Sequence, residues 1–444
     1  MYKFPADLYT DVRIEDVFQT EIRVTLGEID EMRERRYKAA FIRIFDGKRW
    51  YYSSITNVDK IQEEIEKLSK FASLKPHCDD PTVKKFQINK GEFLEFSGDD
   101  ISKIPMGEKY GAISDYFPII SENALVKIWE AYYADSKVIK NFYSSKGSDL
   151  TFDSQRVGLM IGWNLVDGDK KFSDTFGKGA NLFRDLAGLE EEIGKSFARS
   201  IDFLKNSVDV KPGKYTVVLS PRAAGVFAHE SFGHKSEADF MIGDETMKRE
   251  WQIGKKVGSD ILSIVDDGNI KGTGYVPFDD EGTGAEETYL IKNGILSGRL
   301  HSAVTATDLD EDLTGNARAK DFEFEPIVRM TTTYIKSGKK TFDELISDID
   351  EGILVETIKH GSGMSTFTIA PLIAYKIEKG KITEPAKISV VSGDVFRTLG
   401  EIEGLSNKLE ICSFAIGGCG KMEQHPLPVG FGGPYVRVKE LDVQ

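Results

Sequence analysis

Residues 226–234 read Val-Phe-Ala-His-Glu-Ser-Phe-Gly-His, and this segment constrains the fold more than any other. The chain of 444 residues holds six histidines, and two of them, His229 and His234, stand five apart with Glu230 directly after the first. On a regular α-helix such a pair points about 140° apart, too far to share one ion. The familiar zinc-protease helix carries H-E-x-x-H, with both histidines on one face and the glutamate as general base. A chain that uses His229 and His234 together must therefore distort or end its helix between them. A π turn, which closes residue i on i+5, is one way to do so, and Gly233 makes either distortion easier. The preceding residues suit a helix start: Tyr215 to Leu219 reads as a short strand, Ser220 as an N-cap and Pro221 as the first helical residue. The competing reading is an ordinary helix with two unrelated histidines.

A catalytic zinc takes three protein ligands and leaves a position open for water. Two histidines leave one ligand unassigned, with Cys419, Cys412, His301, His360, Glu237 and Asp239 as candidates. Cys419 lies in Gly417-Gly418-Cys419-Gly420, where glycines let the backbone bend tightly and bring a thiolate close to a metal. Cys412 sits in an apolar run and reads as a buried structural cysteine. Glu237 or Asp239 could orient a ligand histidine from behind. Asn316, Arg318 and His301 are candidates to stabilise an oxyanion, each with a plain structural alternative.

The rest of the chain predicts an α+β protein of two domains, 1–208 and 209–444, divided near the Pro212-Gly213 pair. In the first part, Ala39 to Phe45 reads as a strand, Asp46-Gly47 as a hairpin turn, and Ile61 to Phe71 as a helix capped by Asn57. Ser121 to Asp135 and Leu182 to Leu204 read as further helices, with Val138 to Tyr143 and Thr151 to Leu165 as strands between them. These helices are expected to pack on a sheet. The second part is richer in strands, with hairpin turns at Asn293-Gly294 and Lys379-Gly380, and its strands are expected to hold the short metal-binding helix. The net charge of −14 argues against non-specific binding to nucleic acid or an anionic membrane. No apolar run approaches the length of a membrane span. No signal peptide is visible, and three cysteines, Cys78, Cys412 and Cys419, are too few for a disulfide framework, so a reducing cytoplasmic setting is expected.

Four segments occur in a telling order: AHESFGHKSEADF, FDDEGTGAEETYLIKNGILSG, LTGNARAK and GGCGKMEQHPLPVGFGGPYVRV. Together they resemble the TldD/PmbA (TldD/TldE) family of metallopeptidases, and RIFDGKRWYYSSITNVDKIQEEIEKL extends the likeness more weakly toward the N-terminus. TldD-type subunits of that family carry H-E-x-x-x-H and a distant C-terminal cysteine, which bind zinc; TldE-type subunits lack them. The resemblance therefore implies a catalytic TldD-type subunit with His229, His234 and Cys419 as zinc ligands and Glu230 as the catalytic glutamate. It also implies peptide or unfolded-polypeptide substrates and a homodimer or a heterodimer with a TldE-like chain. Residues 359–367, KHGSGMSTF, stand where bacterial members have a Thr-Ser-Gly-Asp-Phe stretch, so the likeness carries a metal site without a substrate preference. The expectation is a zinc peptidase. Its rival is a non-catalytic, zinc-stabilised binding or regulatory subunit in which Glu230 is incidental.

Overall fold

The computed structural model describes residues 2–73, 80–363, 365–413 and 416–444, so Cys78 lies outside the described residues. A seven-stranded sheet forms from β1 (Tyr9–Thr25), β2 (Glu28–Phe45), β3 (Trp50–Ile55), β4 (Lys90–Phe93), β5 (Val126–Ser144), β6 (Asp149–Asp167) and β7 (Lys170–Ala180). Its order is β3-β2-β1-β5-β6-β4, with β7 on β6. The side chains alternate along each strand, and the two faces differ sharply. On β1 the even residues Val12, Ile14, Phe18 and Ile22 pack under helices α1 (Ile61–Ser69), α3 (Met106–Ser114), α4 (Phe117–Ser121) and α5 (Glu190–Asn206). The odd residues Asp11, Arg13 and Glu15 are charged yet buried, because this face meets the C-terminal half of the chain. Helix α2 (Pro81–Lys85) lies at the sheet's edge, where Phe86 stacks on Tyr9.

Two further sheets carry the C-terminal half. One orders β12 (Ile295–Leu296), β11 (Glu287–Lys292), β10 (Ile264–Asp267), β15 (Thr332–Ile335), β24 (Gly430–Gly433) and β21 (Glu410–Ser413). The other runs β16 (Glu351–Gly363), β9 (Gly213–Leu219), β25 (Val436–Val443), β19 (Val391–Asp394) and β17 (Thr366–Glu378), and closes on itself because β17 also pairs with β16. Closure removes the exposed edges of those strands. Strands β18 (Lys381–Lys387), β8 (Val208–Asp209) and β20 (Ile402–Leu405) extend it, and two small ribbons pair β13 (Ala317–Arg318) with β14 (Ile327–Val328) and β22 (Cys419–Lys421) with β23 (Gln424–Leu427). Helix α6 (Pro221–Ala228) fills the space between the closed sheet and β24. The approach is close: a Cβ on Gly225 would stand 2.5 Å from the backbone nitrogen of Gly432.

The α+β expectation holds, as do the hairpins at Asp46-Gly47, Asn293-Gly294 and Lys379-Gly380. The helix expected over Ser121 to Asp135 does not form. Helix α4 ends at Ser121, and the segment from Val126 belongs to β5. Trp129, Ala131 and Tyr133 point inward at a period of two, between β1 and β6. The helix expected from Leu182 starts at Glu190, after a 3₁₀ turn at Phe183–Leu186 and Gly188 with φ +73°. Among the described residues, no helix is long and apolar enough to cross a membrane.

Candidate metal centre

Ser220 Oγ accepts from the Ala223 amide at 3.3 Å and donates to the Glu356 carbonyl at 2.8 Å, tying the start of α6 to β16. The helix runs regularly to His229, whose amide still bonds back to Gly225 and Val226. The next ring is wider. The His234 amide bonds to the His229 carbonyl, so residues 229–233 form a single π turn. The extra residue swings His234 back over His229, and the imidazole centroids lie 5.1 Å apart at an interplanar angle of 78°. Gly233 serves this turn differently from the sequence-based expectation. Its φ of −56° is ordinary for any residue, but a Cβ there would meet Met330 Sδ at 2.1 Å. Its role is steric.

The third donor arrives from 185 residues away. Gly417 and Gly418 have φ of +92° and +158°, and a Cβ on Gly418 would stand 2.2 Å from the Leu427 carbonyl oxygen. That close approach turns the chain into the β22–β23 ribbon. Buried Arg329 fixes the ribbon, donating from Nη2 to the Cys419 carbonyl at 2.9 Å and from Nη1 to the Gln424 carbonyl at 3.1 Å. Cys419 Sγ then lies 3.3 Å from His234 Nε2. One donor atom each from His229, His234 and Cys419 falls within 4.8 Å of the others.

The imidazoles and the thiol set one another's protonation. Burial alone would push the Cys419 thiol up; hydrogen bonds and charge from His229 and His234 outweigh it and bring the thiol down to about 5. Burial likewise works against a charged His234, but Cys419 and Glu237 raise it to about 10. His234 Nδ1 donates to Glu237 Oε2 at 3.3 Å, and the same oxygen lies 2.9 Å from Lys421 Nζ. Burial would raise the Glu237 carboxyl, and His234 and Lys421 hold it below its usual range. Lys421 sits two residues after Cys419 on the same strand, so one ribbon supplies the thiolate and braces the carboxylate behind His234. The buried Nδ1 of His229 has no hydrogen-bond partner among the described residues. Glu230 is half-buried, next to Gly361 of β16.

A profile described as the PmbA/TldA metallopeptidase C-terminal domain matches residues 212–444, and one for domain 1 of the same metallopeptidases matches residues 10–73. The chain is 30% identical over 446 residues to a metalloprotease of Methanothermobacter thermautotrophicus, covering 98% of this chain and 95% of that one. The chain belongs to the PmbA/TldD metallopeptidase family. It is also 28% identical over 452 residues to the zinc metalloprotease TldD homolog of Saccharolobus solfataricus, with 98% and 96% covered. The solved structure of TldE from Thermococcus kodakarensis shares the fold, with a TM-score of 0.77 at 16% identity over 98% of this chain and 96% of that one.

In this PmbA/TldD chain the remaining sequence candidates lie elsewhere or act as supports. Asp239 pairs with Lys421 at 2.7 Å; of the two acids suggested behind a histidine, Glu237 is the one that reaches it. His301 is buried in its own network, with Nδ1 3.1 Å from Thr305 Oγ1 and Nε2 2.8 Å from Glu311 Oε2. His360 is exposed on β16. Cys412 packs against the core, and burial pushes its thiol up to about 11. Asn316 donates to Asp266 at 2.9 Å and to the Arg329 carbonyl at 3.0 Å, while Arg318 donates to the carbonyls of Met330 and Pro428. Both are occupied with shaping loops. Sequence reasoning missed Lys421 and Arg329. For Lys421 the signal was present in its two-residue offset from Cys419; for Arg329 there was none.

Proposed function

We propose that this protein is a zinc-dependent peptidase of the TldD type, with His229, His234 and Cys419 as ligands and Glu230 as general base. The convergence of two imidazoles and a thiolate across a π turn carries this reading. Donors held about 2.0–2.3 Å from a tetrahedral zinc stand roughly 3.3–3.8 Å from one another, and the 3.3 Å from Sγ to Nε2 suits that geometry. A thiolate with two imidazoles is also the donor set that zinc favours. The cluster has three members among the described residues, as for a site that keeps one position open, whereas structural zinc takes four.

Bound zinc would polarise the scissile carbonyl and acidify the attacking water. Glu230, on the residue next to a ligand, takes the proton from that water and passes it to the leaving amine. Glu237 holds His234 in the tautomer that presents Nε2 to the metal, and Lys421 holds Glu237. The substrates are small or unfolded polypeptides, and the working assembly is a pair with a second copy or a TldE-like chain. We place the domain division at 208/209, with the candidate metal centre wholly in the second domain. The test is mass-spectrometric detection of cleavage in an unstructured peptide mixture, with zinc measured in the same samples. The wild type should cut, and Glu230→Gln should hold zinc and cut at least about a hundredfold more slowly. Equal cleavage by both proteins would remove Glu230 from the mechanism.

A further inference from the structure

A cleft of about 340 Å³ lies away from the three donors, between the polar face of the seven-stranded sheet and the segment 426–428. The register of four strands orders its floor. Arg35 of β2 lies opposite Gln19 of β1, Gln19 opposite Ser136 of β5, and Ser136 opposite Arg156 of β6, making one row across the sheet. The next row along is Tyr37, Val17, Val138 and Ser154. The row beyond holds Glu15 and Lys140, with Phe152 at its end.

The rows differ in how their charges are met. Glu15 and Lys140 are paired, with each other at 3.7 Å and with Arg13 and Asp280. The first row carries two guanidinium groups and no acid. Arg156 is half-buried and has no hydrogen bond or ion pair among the described residues. Burial lowers its guanidinium to about 10, the direction expected of a cation without a counter-ion. Arg35 is exposed, rests on the Tyr37 ring 4.6 Å from its centroid, and makes no ion pair among the described residues. Between them the buried Ser136 Oγ has no hydrogen-bond partner among the described residues. On the opposite wall half-buried Lys320 is in no ion pair among the described residues, its ammonium resting on the Phe324 ring. Of the acids lining the cleft, Glu15 and Asp280 are paired and Asp321 is in no ion pair among the described residues, so Arg156, Arg35 and Lys320 leave an excess of unpaired cations there, beside Val17 and Val138. Of the unpaired groups only the Ser136 hydroxyl is buried, and a buried polar atom without a partner is uncommon in native proteins and points to a missing one.

We propose that this cleft binds the C-terminal carboxylate of a peptide, held by Arg156 and Arg35 across Ser136, with the terminal apolar side chain over Val17 and Val138. A planar carboxylate matches the guanidinium fork, and the slot between two layers admits an extended chain end. The cleft and the candidate metal centre share the β22–β23 ribbon, since Leu427 lines the cleft and pairs with Cys419. The inference deepens the peptidase reading and rests on it for the ligand being a peptide.

The test uses the full chain with Glu230→Gln, which leaves the probe intact. Fluorescence anisotropy is read with a labelled tetrapeptide ending in Val-Phe, as the free acid and as the C-terminal amide. The free acid should bind at least tenfold more tightly. Arg156→Gln should remove most of that difference while leaving amide binding unchanged, and Arg35→Gln should remove a smaller part. Arg397→Gln, outside the cleft, should remove none. Circular dichroism confirms that each variant is folded. Acid and amide binding alike, an Arg156→Gln effect equal on both, or displacement of the acid by equimolar inorganic phosphate would each overturn the proposal. Those results are separable from a failure of the peptidase reading, which appears as lost zinc or absent cleavage with the acid preference intact.

Discussion

Two of the buried polar clusters in this molecule are built on opposite terms. The first joins the N-terminal sheet to the C-terminal half. Arg43 lies 2.9 Å from Asp11 and 3.0 Å from Glu281. Arg13 lies 3.0 Å from Glu15 and 3.6 Å from Asp280, which also pairs with Lys140. The loop bearing these acids is organised by Asp279, which accepts the amides of Glu281, Thr283 and Ala317, while Asp280 accepts that of Ala319. The segments FDDEGTG and LTGNARAK are thus partners in a clasp. The second cluster is His229, His234 and Cys419, where two imidazoles and a thiolate converge and hold one another's protons. The clasp is closed by arginines against carboxylates; the triad is held by protons that a metal ion would replace. Buried charge alone does not mark a functional site, and the informative feature is which side chains meet in it.

The contrast can be broken most severely at the triad. His229→Ala should reduce bound metal more than about tenfold and abolish cleavage, since a ligand is lost outright; inductively coupled plasma mass spectrometry reads the metal. The next largest effect belongs to the clasp. Arg43→Met strands Asp11 and Glu281 in a buried site and should cost about 3–5 kcal/mol in urea unfolding, with the folded fraction still holding metal. If Arg43→Met strips metal as completely as His229→Ala, the two clusters are not independent. Glu237→Gln is a milder change. It should weaken metal binding about 10–100-fold, or about 1.4–2.7 kcal/mol, and leave the clasp untouched. The smallest test compares thiols in metal-free protein carrying Cys78→Ser. Cys419, at about 5, is already thiolate at pH 7, so its alkylation rate should stay flat from pH 7 to 9. Cys412, at about 11, should react roughly tenfold faster per pH unit over the same range. Added zinc should protect Cys419 alone. A Cys419 rate that climbs with pH as Cys412 does would mean the imidazoles do not hold it ionised.

Much of the site was legible because its geometry is local. His229 and His234 can meet on a helix through a π turn, and the spacing already demanded some such break. Ser220 and Pro221 announced the helix start by their own backbone preferences. Where the sequence misled, non-local contacts had won. The strand read over Ala39 to Phe45 begins earlier, at Glu28, through a heavily charged stretch, and runs for 18 residues. It is held by pairing with β1 and by cross-strand contacts such as Arg33 with Glu21. Val126 to Asp135 is a strand because β1 and β6 flank it.

By itself the sequence determined the donor types, the break in the helix that carries two of them, and the family likeness, since each depends on residues a few positions apart or on motif identity. The residues alone left Cys419, Cys412 and His301 open and only the family likeness pointed to Cys419; the tertiary structure brought Cys419 to the histidines, set Glu237 behind one of them, and gave Asn316 and Arg318 to shaping loops. Those assignments depend on Arg329, Gly418 and Lys421 bringing a ribbon across 185 residues of chain. No local preference encodes that distance; packing does.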